Sequence, residues 1–485
     1  MYFNSYNFVL YFMPVLLVGY YILGKKFKPA AAHMWLLAFS ILFCATHGIP
    51  ETLILLGGVI VNYLISKTVS NISSEKQKAG KALMVLSVTA NIGVLFVFKY
   101  LGFFVSVIDM ITGKDFSVSM LLMPVGISYL TFRMIGYTVD VYRKELKVPG
   151  FFDFLLYAFY FPMLVQGPIT SSADFLPQLS KEGHTRYDPE RFAKGLFFFA
   201  MGLLKKMLLA DTIAKAVTWG YDNVSALTTF DTILVMLSFS CQLYFDFSGY
   251  CDMANGISEM LGISLPLNFD SPYRSKSLGE IWRRWHITLG EFLRKYVYIP
   301  LGGNRKGLLR TYINLIVVFA LSGLWHGAGF TYILWGLVNG LVLCLERLFK
   351  KGLSKVNGGI RWFLTFLIWN VAFLLFRSES LAIFAEIFMG MFKKHDFLLS
   401  TDLLRSATLV ELEYIEPHLG SFGEVIGILH LPILLAISFI IIFGTKNLYE
   451  KEFKPGVFKA LFSALSLFWC IVSMGGMTTF LYAVF

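Results

Sequence analysis

Long apolar runs, separated by short polar segments, recur along the whole chain. The run Pro432–Phe443 (PILLAISFIIIF) contains one serine and has no polar face, whereas a helix of a soluble protein alternates apolar and polar faces. A helix that crosses a membrane needs about 20 mostly apolar residues, because the hydrocarbon core is about 30 Å thick. Many runs approach that length, so the pattern predicts an all-α polytopic membrane protein.

The runs place the predicted membrane helices. Apolar runs lie at about 8–23, 33–45, 52–65, 83–98, 195–210, 233–244, 362–376, 425–443 and 458–484, and the last is expected to bend at Gly475-Gly476. Two shorter segments, 120–132 and 154–165, carry or precede proline and glycine, which is typical of re-entrant helices covered by protein. We expect about 10–13 transmembrane and re-entrant helices in a single domain spanning residues 1–485.

The charges are few and mostly basic. Charged residues make up 15% of the chain, against about 25% in soluble domains, and the formal net charge is +11. Basic residues collect in cytoplasmic loops of membrane proteins. The excess of basic residues is therefore expected to set the orientation of the chain in the membrane and does not indicate nucleic-acid binding. Lysines after the first run and in the loop 66–81 predict that the N-terminus lies outside.

Several motifs are absent from the sequence, and their absence argues against several classes of protein. The five cysteines lie in or beside apolar runs without a C-x-x-C pair, which predicts neither a disulfide framework nor a zinc site. The chain has no P-loop, G-x-S-x-G, H-E-x-x-H or pair of related halves, which argues against an ATPase, a serine hydrolase, a zincin and an inverted-repeat transporter. We expect no bound metal or cofactor.

His326 lies in the middle of an apolar run, FALSGLWHGAGFTYILWG. Ionisable residues are costly inside a membrane and suggest function, although a neutral histidine bonded to a neighbouring helix is an equally simple interpretation. Gly323, Gly327, Ala328 and Gly329 surround it and predict either open space beside the imidazole or close approach of another helix. A neutral imidazole can take a proton from a hydroxyl nucleophile.

His286 lies in a basic and aromatic segment, GEIWRRWHITLGEFLRKY. Apolar residues at spacings of three and four predict one helix lying at the membrane interface, with His286 either structural or part of the same site as His326. These residues are Trp282, Trp285, Leu289, Leu293 and Tyr296.

The segment around His286 is strongly basic. From Pro266 to Arg310 there are nine Lys or Arg residues and three acids, a local net charge of +6. This cluster suits either anionic lipid headgroups or a polyanionic substrate such as a nucleotide-bearing acyl carrier. A glycine-rich turn, Leu301-Gly302-Gly303-Asn304, suits phosphate.

Several long motifs resemble the alginate O-acetyltransferase branch of the membrane-bound O-acyltransferase (MBOAT) family. They are WRRWHITLGEFLRKYVYIPLGGNRKG, LSGLWHGAGFTYILWG, FDFSGYCDMANG, LPLNFDSPYRS, PVGISYLTFRMIGYTVDVYR, FPMLVQGPI and the N-terminal MYFNSYNFVLYFMPV, and the resemblance as a whole extends over most of residues 1–345. Phe330 and Cys251 depart mildly from the pattern, where tryptophan and serine are expected.

The resemblance implies a ring of membrane helices around a central tunnel, with residues 266–340 as the catalytic core stretch. It implies that His326 is the catalytic histidine and that His286 lines the tunnel. We expect Arg283, Arg284, Arg305, Lys306, Trp285 and Asn304 to bind the donor. The donor would be acetyl-CoA at the cytoplasmic face of a bacterial-type cell membrane, and the acceptor an extracellular or cell-wall polysaccharide. A separate extracytoplasmic acetyltransferase would complete the transfer, with membrane lipids as further partners.

Three alternatives stay open at this point. A sister branch transfers D-alanine to teichoic acid from a carrier protein. A transporter or flippase could use Lys205, Asp246 and His326 as a path of ionisable groups. A scaffold for an extracellular partner is disfavoured by the asparagines in apolar runs, although amides also form interhelical hydrogen bonds.

Overall fold

The structure is a computed structural model that describes residues 1–73, 76–116, 122–393, 397–444, 447–450, 453–474 and 479–480. Among these residues the regular structure is helical, with one isolated antiparallel bridge between Phe269 and Trp285. The helices, in chain order, are α1 Asn7–Lys26, α2 Pro29–Ala45, α3 Ile49–Asn71, α4 Gln77–Thr112, α5 Ile127–Tyr142, α6 Phe151–Phe159, α7 Ser172–Leu179, α8 Pro189–Leu204, α9 Asp211–Asp222, α10 Thr229–Met260, α11 Leu278–Arg284, α12 Ile287–Leu293, α13 Leu308–His326, α14 Phe330–Leu348, α15 Lys350–Leu353, α16 Gly358–Arg377, α17 Leu381–Lys393, α18 Thr401–Ser406, α19 Val410–Ile415, α20 Ser421–Gly444 and α21 Val457–Val472.

Eight of the described helices are long and apolar enough to cross a membrane. They are α1, α3, α4, α10, α13, α14, α16 and α20, and the apolar helices α2, α17 and α21 are shorter. The prediction of an all-α polytopic membrane protein is confirmed. The bend predicted at Gly475-Gly476 lies outside the described residues.

The chain divides into two compact units. The first contains Met1–Phe199, Cys251–Pro266 and Pro455–Ala460, and the second contains Ala200–Tyr250, Leu267–Lys454 and Leu461–Phe485. Both candidate histidines belong to the second unit. The prediction of one domain over residues 1–485 stays a prediction.

In the first unit, two boundaries follow from proline and glycine. Of the short helix predicted at 120–132, residues 120 and 121 lie outside the described residues, and the start is wrong, because the buried helix α5 begins only at Ile127, after Pro124 and after Gly126 in the left-handed conformation with φ 79°. A Cβ on Gly126 would lie 2.2 Å from the Leu164 carbonyl oxygen, so no larger residue fits there. The segment predicted at 154–165 is indeed short and broken, since α6 ends at Phe159 before Pro162.

In the second unit, the single interfacial helix predicted from Trp282 to Tyr296 is wrong. The chain forms two short helices, α11 and α12, separated at Trp285 and His286. His286 has φ 46° and ψ 52°, a left-handed conformation that interrupts a right-handed helix. Trp285 and Leu289 are buried and therefore do not form a membrane-facing stripe.

The five cysteines behave as the sequence predicts. Cys44, Cys241, Cys251, Cys344 and Cys470 are all buried. They pack as small apolar residues.

Candidate active site

Helices α13 and α14 form a tightly packed hairpin that places His326. His326 is the last residue of α13, and Gly327, Ala328 and Gly329 connect it to α14. A Cβ on Gly323 would lie 2.2 Å from the Tyr332 carbonyl oxygen, and a Cβ on Gly336 would lie 2.2 Å from the Phe319 carbonyl oxygen. The glycines therefore let the two helix backbones touch, as small residues do in membrane helix pairs. At Gly323, one of the small residues around His326, the structure has the predicted close approach of another helix.

Aromatic rings enclose the His326 side chain, which is 3% exposed. Its ring centroid lies 5.0 Å from that of Trp325, 5.2 Å from that of Trp335 and 5.4 Å from that of Phe376. All three contacts are edge-on, the arrangement that aromatic rings prefer. Rigid neighbours of this kind hold the imidazole in one place and exclude water from it.

His286 is held by the segment that precedes α11. The Asp270 backbone N–H donates to the Arg284 carbonyl at 2.9 Å, and the Ile287 N–H donates to the Asn268 carbonyl at 3.1 Å. These two bonds flank the Phe269–Trp285 bridge and replace helical hydrogen bonds at the turn. The Nδ1 atom of His286 lies 3.3 Å from Asn268 Oδ1.

Helix α14 fastens α11 and so links the two histidine segments. The indole N–H of Trp282 donates to Asn339 Oδ1 at 3.2 Å. The carboxylate of Glu346 accepts from the backbone N–H groups of Leu278 and Gly279 at the start of α11. A carboxylate satisfies N–H groups that have no partner inside the helix. The helix that carries the wall of the His326 site thereby also fixes the helix that leads to His286.

The two predicted histidines come together. The ring centroids of His286 and His326 lie 6.5 Å apart, and His286 is 1% exposed. Phe247 of α10 packs edge-on against His286 at 4.8 Å. Burial lowers the pKa of His286 to about 3, so its imidazole is neutral at physiological pH. The site therefore offers two imidazoles side by side in a dry, aromatic environment.

Two of the predicted donor-binding residues make intramolecular contacts. The Arg284 guanidinium contacts the Asp270 carboxylate at 3.2 Å and the Glu280 carboxylate at 3.3 Å. Trp285 is 2% exposed, with Phe269 at 5.0 Å and Trp369 at 5.5 Å between ring centroids. Both residues fix the turn at His286, and their role toward a donor stays a prediction.

The other predicted donor-binding residues are exposed. Arg283 projects from α11, and Asn304, Arg305 and Lys306 belong to the glycine turn. Gly302 and Gly303 have φ 105° and 55°, values that favour glycine. The turn is fixed from α13, because the amide of Asn314 donates to the Gly303 carbonyl at 2.9 Å. Three polar side chains are therefore presented on a rigid loop.

The ionisable path of the transporter hypothesis contains a buried ion cluster. Lys206 Nζ lies 2.7 Å from Asp246 Oδ1 and 2.7 Å from Asp211 Oδ1, and the lysine is 1% exposed. Asp246 thus pairs with Lys206, the neighbour of the predicted Lys205. A cluster of this kind anchors helices, since breaking a buried ion pair is strongly destabilising.

Sequence reasoning missed Asn268, Trp335 and Phe376. Asn268 stands in a quoted motif, LPLNFDSPYRS, as an amide among apolar neighbours, which is the one local signal that it has a partner. Trp335 and Phe376 look like ordinary membrane-helix aromatics. Within the described ranges, no group of three or more His, Cys, Asp or Glu side chains could hold a metal ion.

Comparisons with known proteins identify a family and several relatives of the chain. The model of the MBOAT, membrane-bound O-acyltransferase family, matches residues 96–385, more than half of the chain. The peptidoglycan O-acetyltransferase of Helicobacter pylori is 35% identical over 80% of this chain and 79% of its own length. The "Probable alginate O-acetylase AlgI" of Pseudomonas aeruginosa is 35% identical over 95% of this chain and 84% of its own length.

A more distant relative represents the sister branch. The teichoic acid D-alanyltransferase of Bacillus subtilis is 28% identical over 47% of this chain and 60% of its own length. The acetyltransferases thus match at higher identity and over more of the chain. The prediction of a membrane-embedded acyltransferase is confirmed, and the chain belongs to the membrane-bound O-acyltransferase family.

Proposed function

We propose that this enzyme transfers acetyl groups from acetyl-CoA, taken up at the cytoplasmic face, for O-acetylation of a polysaccharide on the other side of the bacterial cell membrane. The observation that carries this proposal is the buried pair of imidazoles, His286 and His326, 6.5 Å apart at the end of an apolar helix. The names of the relatives at 35% identity support acetyl as the acyl group.

His326 acts as the general base in this proposal. It accepts the proton of the attacking hydroxyl, which belongs to the polysaccharide or to a serine of a partner protein. The hydroxyl oxygen attacks the thioester carbonyl carbon, so the C–O ester bond forms as the C–S bond breaks. The proton passes from His326 to the departing thiolate. The aromatic surround of His326 supports this role, because it fixes the ring and keeps out water that would hydrolyse the thioester.

His286 holds or polarises the thioester beside His326, and the exposed basic groups bind the donor. Arg283, Arg305 and Lys306 suit the phosphates of coenzyme A. The amide of Asn304, on the same turn as Arg305 and Lys306, adds a hydrogen-bond donor. These side chains are exposed, which supports contact with a ligand that arrives from solution. Arg284 and Trp285 would contribute by fixing the turn that carries His286.

The lysine-bearing loops support the proposed orientation in the membrane. With the N-terminus outside, the loops that follow α1 and α3 face the cytoplasm, where acetyl-CoA is made available. A separate extracytoplasmic, membrane-anchored acetyltransferase would receive the acetyl group and complete the transfer.

The proposal is tested with the purified protein in nanodiscs. Radiolabelled acetyl-CoA is supplied together with cell envelope, and both thioester loss and ester-bound label in polysaccharide are followed. We expect acetyl-CoA to lose its thioester and the polysaccharide to gain ester-bound label. Turnover of a D-alanylated carrier protein, with acetyl-CoA left intact, would overturn the acetyl assignment and favour the sister activity.

A further inference from the structure

The side-chain oxygen of Asn268 receives three polar contacts in the turn around His286. The Thr288 backbone N–H lies 3.2 Å from Asn268 Oδ1, the Thr288 hydroxyl 2.8 Å and His286 Nδ1 3.3 Å. A backbone N–H can only donate, so the atom it meets is the amide oxygen and not the amide nitrogen. The orientation of the Asn268 amide is therefore fixed by the main chain, independently of the histidine.

This orientation determines the proton position on His286. Because Asn268 Oδ1 is an acceptor, His286 Nδ1 must carry the proton that it donates to that oxygen. In a neutral imidazole one ring nitrogen carries the proton and the other carries the lone pair. The lone pair is then on Nε2, and Nε2 accepts hydrogen bonds.

The backbone holds the turn at His286 in the same place. His286 has φ 46° and ψ 52°, and the Ile287 N–H donates to the Asn268 carbonyl at 3.1 Å. Asn268, which is fully buried, thus grips the turn through its main chain and its side chain. Backbone conformations that are rare for non-glycine residues cluster at functional sites, where the surroundings over-determine them.

We propose that Asn268 is a positioning residue that holds His286 in the Nδ1–H tautomer, so that Nε2 serves acyl transfer by accepting a hydrogen bond from a substrate O–H or N–H group. This narrows the role of His286. It orients a hydrogen-bond donor group of the substrate and does not polarise the thioester carbonyl, which would need an N–H at Nε2. The inference rests on the proposed function, because it places His286 against the reacting groups.

The tautomer is measured directly on the folded protein. Protein labelled with ¹⁵N-histidine is placed in nanodiscs at neutral pH, and the His286 signals are assigned by their loss in His286→Gln. We expect a protonated Nδ1 and an unprotonated Nε2 in the native chain. An Nε2–H tautomer in the native chain overturns the inference, whatever the activities are.

Variants of Asn268 connect the tautomer with the reaction. Asn268→Leu removes the acceptor, and we expect loss of the fixed tautomer and a fall in kcat of about 10²-fold, the effect of misplacing a group that orients the substrate. The KM for acetyl-CoA should change less than about threefold, because the donor-binding residues are intact. Asn268→Asp keeps an acceptor for the same donors and should restore the tautomer and kcat to within about tenfold of the native value.

A matched control separates positioning from simple loss of a buried amide. Asn370 is as buried as Asn268, and its amide donates to the Phe366 carbonyl, one turn back on its own helix, at 2.7 Å. Asn370→Leu makes the same chemical change and should keep the His286 tautomer and kcat. Equal losses in Asn268→Leu and Asn370→Leu, or a native kcat in Asn268→Leu, overturn the inference.

The two proposals can fail separately. Full acetyl transfer by His286→Gln would refute a role for His286 in the reaction, and hence the proposed division of roles. The wrong tautomer in an enzyme that needs His286 would refute only the role of Asn268. If Asn268→Leu does not fold, the native tautomer and the Asn268→Asp variant still decide the question.

Discussion

Replacing Gly336 by alanine tests whether close packing of α13 and α14 sets the position of His326. A Cβ at this position would lie 2.2 Å from the Phe319 carbonyl oxygen and 3.2 Å from the Gly323 nitrogen. Both are backbone atoms, which cannot rotate away as a side chain can. Because carbon needs about 3.5 Å from a neighbouring heavy atom, the two helices must separate by about 1 Å.

Two effects of that separation can be estimated. Overpacking of a tight interface costs about 1–3 kcal/mol of stability. Trp335 is the residue before Gly336 and contacts the His326 ring, so the displacement acts on the site itself. A shift of about 1 Å in a catalytic group can lower the rate by about 10²-fold. We therefore expect Gly336→Ala to unfold at a lower temperature than the native protein. We also expect its acetyl-CoA turnover to fall by about 10²-fold relative to the native rate.

Gly93→Ala is the control for this experiment. Gly93 lies in an exposed part of α4, and a Cβ there would meet no atom of the described residues within 4 Å. Alanine is a better helix former than glycine, so this variant should unfold at the native temperature or higher. If Gly336→Ala matches Gly93→Ala in both unfolding temperature and turnover, close packing of the hairpin does not position His326.

The remaining predictions concern the donor, the ion cluster and pH. Arg305→Gln combined with Lys306→Gln should raise the KM for acetyl-CoA about tenfold at low salt with kcat unchanged, and an unchanged KM would exclude this turn from the donor site. Lys206→Met should destabilise the protein by about 3–5 kcal/mol in thermal unfolding, because the carboxylate of Asp246 stays buried without this cation, and a native unfolding temperature would contradict this. Burial lowers the pKa of His286 from 6.5 to about 3 in the folded protein. Between these pH values the unfolded chain binds one more proton than the folded protein, so the stability of the fold decreases as the pH falls through that window. In denaturant unfolding between pH 7 and pH 5, the native protein should lose about 2 kcal/mol more than His286→Gln, and equal losses would contradict burial of a neutral ring.

The sequence predicted the membrane helices well because their signal is local. Runs of apolar residues determine each span by themselves, and α3, α16 and α20 contain the predicted ranges 52–65, 362–376 and 425–443. Both histidines stood out for a similar reason, since an ionisable group in or beside an apolar run is costly to bury. The sequence predicted the start of α5 less well. Residues 120–132 form one apolar run in the sequence, but the helix begins only after Gly126.

The turn at His286 could not be predicted from spacing. Trp282, Trp285 and Leu289 have helical spacing, yet the chain leaves the helix at His286 because Asn268 accepts the hydrogen bonds of the turn. That partner lies 18 residues away along the chain. One partner of Arg284, Glu280, follows from the local i, i+4 spacing, but the other, Asp270, lies 14 residues away along the chain and no local pattern reveals it.

The most direct test of the account compares His326→Ala with His418→Ala in acetyl-CoA turnover. His418 is exposed and lies in a short 3₁₀ turn between α19 and α20, so it provides a histidine outside the proposed site. Both variants are purified in nanodiscs, checked for native unfolding temperature and supplied with radiolabelled acetyl-CoA and cell envelope. We predict that His326→Ala loses at least about 10²-fold in acetyl transfer while His418→Ala keeps the native rate. Full acetyl transfer by a folded His326→Ala protein would contradict the assignment of His326 as the base.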